Sequence, residues 1–100
     1  MNVVLTEAGD LWRLQMIGSV GIEQISRLTE CARTIADSGR SADIDLGEAI
    51  FLHYAVVQVL LSLKATLEDQ GLALHVGAPC PALAGVLNHL GLREALGIAA

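Results

Sequence analysis

The side chains best suited to holding a metal or moving a proton are His53, His75, His89, Cys31, Cys80 and the alternating pair Asp43 and Asp45. Imidazole and thiolate are common zinc donors, gathered four to a closed site or three with water. His53 precedes a helical segment, His75 sits near the end of a strand-like run, and Cys80 lies in the loop beyond it. In a parallel α/β sheet such positions share the carboxyl edge, so these three are the candidate ligand set. No His-x-x-x-His or Cys-x-x-Cys spacing reinforces them, and no carboxylate is placed as a fourth ligand. A small metal- or ligand-binding protein is thus a reading carried by His53, His75 and Cys80 alone. His89 belongs to another helix and reads as a surface residue. Cys31 falls on a helix flank, where most cysteines simply pack.

Asp43 and Asp45 are two apart on a strand and so point to one side, an arrangement that suits acid–base work. A cap or loop partner for one and solvent for the other accounts for them more simply. The chain has no nucleophile elbow, phosphate-binding loop or dinucleotide-binding glycine fingerprint. No active site and no cofactor is expected.

The elements that must position these residues belong to one domain of 100 residues, 53% hydrophobic and 17% charged, a balance that excludes intrinsic disorder. Six basic against eleven acidic residues leave a charge of −5, which speaks against nucleic acid or an anionic membrane surface as partner. Two distant cysteines make no disulfide framework, so a reduced, cytoplasmic protein is expected. Asn2, Glu7 and Asp10 interrupt any signal-peptide core. The most apolar stretch, Ala49 to Leu63, carries His53, Gln58 and Ser62 and is shorter than the roughly 20 residues of a membrane span.

Val3 to Thr6, the turn signal Ala8-Gly9-Asp10 and the alternating run to Ile17 predict an antiparallel hairpin. Ile22 to Ser38 changes to a helical period, with Ile22, Ile25, Thr29, Ala32, Ile35 and Ala36 on one face and Gly39 as the stop. Ala42 to Leu46 predicts a short parallel strand, and Tyr54 to Gln70 a second helix ended by Gly71. Leu72 to Val76 predicts a strand buried on both faces. Pro81 opens a third helix with the stripe Leu83, Val86, Leu87 and Leu90, and Leu92 to Leu96 adds one more turn. The order β-β-α-β-α-β-α predicts an α/β fold, a mixed sheet with helices packed on it.

The second helix carries more apolar surface than one core needs. At about 100° per residue, Val56, Val59, Leu60, Leu63 and Leu67 form its core-facing stripe. The opposite face presents Tyr54, Val57, Gln58, Leu61 and Ala65, and charge arrives only at Lys64, Glu68 and Asp69. An outward apolar face of this kind either docks a partner or is covered by loops.

The run Asp45-Leu46-Gly47-Glu48-Ala49-Ile50-Phe51-Leu52-His53-Tyr54-Ala55-Val56 resembles the strand-to-helix segment of STAS domains. That segment reads Asp-Leu-Ser-Gly-Val, three residues, then Asp-Ser-Ser/Ala-Gly, and aligns without a gap, Asp45 on the first aspartate and His53 on the second. Gln70-Gly71 followed by Leu72 to Val76, and the closing Val86 to Leu92, are similar to the same family, so the likeness spans essentially the whole chain. It implies an anti-sigma factor antagonist-like signalling module, or the small STAS subunit of a phospholipid-transport ABC system. The implied partner is an anti-sigma kinase-like or other signalling protein in the first case and an ABC ATPase in the second.

In regulated members of the family the residue after the second aspartate is a phosphorylated serine or threonine. Here it is Tyr54, whose hydroxyl stands several ångströms further from the backbone and does not place a phosphate on the same free N–H groups. His53 in place of aspartate reads as a weaker helix cap, by about 1 kcal/mol. A degenerate phosphosite at Tyr54 is therefore expected, with the scaffold and partner-facing helix retained. Tyr54, Val57 and Leu61 are expected to anchor a protein partner, with His53 and Gln58 at the rim.

Overall fold

A computed structural model describes residues 2–97, the side chain of Arg93 apart, and its sheet begins with a hairpin. Val3–Ala8 (β1) and Leu11–Val20 (β2) pair antiparallel from Ala8↔Leu11 to Val3↔Met16. The two-residue connection turns on Gly9, whose φ of 64° at the first turn position is the conformation of a type II′ hairpin.

Beyond β2 a 3-10 turn, Ile22–Gln24, leads into the helix Ile25–Ser38 (α1). The strand Ala42–Leu52 (β3), the helix Tyr54–Asp69 (α2), the short strand Leu74–Val76 (β4) and the helices Pro81–His89 (α3) and Leu92–Leu96 (α4) follow. The strands lie in the order β1-β2-β3-β4, with β2, β3 and β4 parallel. The α/β class and the element order expected from the sequence both hold.

Alternation along the strands sets the two sides of the sheet. Leu14 and Met16 of β2, Ala42, Ile44 and Leu46 of β3, and Leu74 and Val76 of β4 point into the core beneath α1 and α2. Arg13, Gln15, Asp43 and His75 face the other way and pair among themselves and with Glu48. Arg13 Nη2 lies 3.4 Å from Asp43 Oδ2, His75 Nδ1 lies 3.2 Å from Asp43 Oδ1, and Gln15 Nε2 donates to Glu48 Oε2 at 3.3 Å.

Three elements differ from expectation. α1 buries Leu28, Cys31 and Ile35, while Ile22 stands exposed, because Ile22 lies in the 3-10 turn and the helical period does not extend back to it. β4 is an edge strand of three residues, and His75 on its uncovered side is exposed. β3 is more than twice the expected length. Its pairing with β2 continues through two irregularities, one around Leu46-Gly47 and one at Ile50, to Val20↔Leu52. Asp45 supports the first, its Oδ1 accepting from the Gly47 N–H at 2.9 Å.

Candidate functional site

The C-terminal end of β3, the start of α2 and the exposed side of α3 meet at one end of the molecule. A parallel strand in strict alternation would bury every second residue, but Ile50 has no partner on β2, with Gly18 opposite Ala49 and Ser19 opposite Phe51. This bulge breaks the alternation and aims both Ile50 and Phe51 outward, while Leu52 returns to the core.

His53 then caps α2. Its backbone is extended (φ −62°, ψ 148°), and its Nδ1 accepts the Ala55 N–H at 3.0 Å. The cap makes Nδ1 the bare nitrogen, so the neutral ring carries its proton on Nε2. The weak cap expected for histidine is thus a formed hydrogen bond. Tyr54 is the first helical residue and is 65% exposed; Gln58, one turn on, is also exposed, and Leu61 is half-buried.

Val57 does not share their face: it is 2% exposed and belongs to the core, whereas Val59 is only partly covered. The helical wheel alone favours Val59. The neighbours reverse that order, because Val57 looks toward Leu83 and Leu87 of α3, while Val59 borders a shallow groove between α1 and α2 lined by Thr29, Ala32 and Ala36.

α3 is tied to this end through its first residues. Cys80 precedes Pro81 at the helix start, and its Sγ–H donates to the Ala49 carbonyl at 3.3 Å, across to β3. Leu83 and Leu87 face inward, and Val86 and Leu90 stand more than half exposed. Between α3 and the β3–α2 junction runs a cleft of about 240 Å³, walled by Ile50, Phe51, Tyr54, Val86 and Leu90 and floored by buried leucines and Val57. Together with Ile22, those five wall residues are the large apolar side chains most exposed among the described residues. The second-helix reading found Tyr54 but missed Ile50, Phe51, Val86 and Leu90.

His53, His75 and Cys80 do not converge. β4 pairs with the first residues of β3, Asp43 opposite His75, and β3 then runs on for nine residues to Leu52. At about 3.3 Å per residue, with two residues taken up by the irregularities, the ten positions from Asp43 to His53 separate His75 from His53 by roughly 25 Å. Among the described residues no three histidine, cysteine or carboxylate side chains group as metal donors. His89 is exposed on α3. Cys31 is buried, and that burial pushes its thiol above the ordinary value; the Arg27 charge opposes the shift and the Glu30 charge adds to it.

No family model matches the sequence, and a search of the curated proteins finds no match either. Solved structures do match. An anti-sigma factor antagonist from Mycobacterium paratuberculosis superposes with a TM-score of 0.81 at 15% identity, over 96% of this chain and 82% of that one. The anti-sigma factor antagonist SpoIIAA in its unphosphorylated form gives 0.79 at 15% identity, over 98% and 88%. This chain has a STAS fold. A sulfate transporter family protein from Wolinella succinogenes shares the fold, with a TM-score of 0.72 at 18% identity over 92% and 75% of the two chains. Among the described residues of this STAS fold no helix is long and apolar enough to cross a membrane.

Proposed function

We propose that this chain is a single-domain, non-enzymatic, cytoplasmic interaction module of bacterial signalling, similar to anti-sigma factor antagonists, that docks a protein partner on its apolar end. One observation carries the reading: among the described residues the most exposed large apolar side chains cluster at one end, five of them walling one cleft. Exposed aromatic and aliphatic groups gathered around a concave site have the composition of a binding hot spot. Tyr54 walls the cleft and Val57 forms part of its floor; His53 caps α2, Leu61 lies two turns beyond Tyr54, and Gln58 borders the groove between α1 and α2.

The candidate acid–base pair supports a binding module over an enzyme. Asp43 is engaged by Arg13 and His75, and Asp45 by the Gly47 N–H. Tyr54 occupies the place of the family's phosphorylated serine, and its exposed ring forms a wall of the cleft. The partner contact is then governed by concentration and competition, with no serine phosphorylation switch.

Affinity capture from native lysate tests the reading, with wild type beside Tyr54→Asp and Leu61→Glu and the bound proteins identified by mass spectrometry. A signalling protein or kinase-like ATPase held by wild type and lost by both variants is the expected result. Identical capture by variants that keep the wild-type circular dichroism spectrum overturns it.

A further inference from the structure

The cleft raises the question of what covers it when no partner is bound. We propose that a second copy of this chain does, through a two-fold symmetric contact that sets cleft against cleft. The self-contact stands on the cleft's own geometry. Its consequence, that a second copy and a signalling partner exclude one another, rests on the function proposed above.

Area is the first argument. Ile50, Phe51, Tyr54, Val86 and Leu90 are each half exposed or more. Aromatic side chains cover about 150–250 Å² each and the aliphatic ones somewhat less, so at these exposures the five offer roughly 500 Å² per copy. A symmetric contact uses that patch twice and reaches about 1,000 Å², the size a specific interface must clear. Ile22 adds to the edge of the same end.

Charge is the second. Each copy carries −5, so self-association is favoured only where no like charges are pressed together. Among the described residues no charged side chain lines the cleft. The ion pairs Arg13–Asp43 and Arg40–Glu7 sit where β3 begins and at the hairpin, away from it. A basic partner finds no carboxylate in the cleft to pair with, whereas a second copy needs none.

Shape is the third. Val86 on α3 and Leu90 at its C-terminal cap are four apart and form a ridge along one wall of the cleft. A two-fold axis lays the ridge of each copy into the cleft of the other, residue i meeting j and j meeting i. The volume of about 240 Å³ is large enough to receive side chains of this size.

Light scattering after size exclusion tests this from about 1 to 200 µM protein, a range that spans micromolar dissociation constants. The chains compared are wild type, Leu90→Glu and, as a control in the α1–α2 groove, Thr66→Glu, each checked by circular dichroism. The wild-type mass is expected to rise from 10.5 kDa toward twice that value. Raising salt from about 0.05 to 0.5 M should favour the dimer, because it screens the repulsion between two acidic copies. Leu90→Glu should weaken it at least about tenfold, and Thr66→Glu should leave it unchanged. A wild-type mass of 10.5 kDa at every concentration overturns the proposal, as does a dimer indifferent to Leu90→Glu. If that monomer still captures a signalling protein that Tyr54→Asp loses, the self-contact fails and the docking function survives.

Discussion

Val57→Ala and Tyr54→Ala form a matched pair that tests which side of α2 faces the core. Val57 is 2% exposed against Leu83 and Leu87, and Tyr54 is 65% exposed on the neighbouring position. Valine to alanine removes two methyl groups, about 0.8 kcal/mol each in lost burial. A residual cavity between α2 and α3 raises the total to about 1.5–2.5 kcal/mol. For a domain of this size that lowers Tm by roughly 8–15 °C. Tyr54→Ala removes an exposed ring and should stay within about 0.5 kcal/mol of wild type. Urea and thermal denaturation followed by circular dichroism read both values. Capture of the partner should show the reverse order, with Tyr54→Ala losing more than Val57→Ala at a temperature where both are folded. A Val57→Ala cost below about 0.5 kcal/mol, together with a Tyr54→Ala cost above about 1.5 kcal/mol, refutes the placement of the two residues.

Two further outcomes follow from local contacts. His53→Ala removes the acceptor for the Ala55 N–H and should cost about 1 kcal/mol in urea denaturation, while His53→Asp, which keeps an acceptor at the helix start, should match or exceed wild type. A neutral His53→Ala means that the cap contributes nothing. In the native protein near pH 8, iodoacetamide should modify Cys80 well before Cys31. Burial both shields Cys31 and raises its thiol pKa, leaving less thiolate at any given pH, so equal rates at the two sites contradict the packing of α1.

Much of the scaffold was legible because it is written in local periodicity. The hairpin turn needs a glycine at a position of positive φ, and Gly9 supplies it. Gly39 ends α1 in the left-handed conformation, as its place after the helical pattern predicts. The apolar end was legible only in part. Ile50-Phe51-Leu52 carried an available signal, since three consecutive apolar residues on a strand cannot all face one core. So did the four-residue apolar stripe of α3, which is wider than the two positions, Leu83 and Leu87, that its packing covers.

By itself the sequence determined the order of elements, the helix ends, and the identity of His53 at the cap and Tyr54 after it. These depend on residue type and short-range spacing. Tertiary structure alone decided that Val57 is core and Val59 is not, because a helix apolar on several sides takes its orientation from whichever neighbours cover it. It also decided that His53 and His75 lie far apart, since strand register sets that distance, and that Ile50 and Phe51 join Val86 and Leu90 around one cleft. A bulge in β3 and the docking of α3 bring those residues together from segments more than thirty positions apart, and no local period encodes such a meeting.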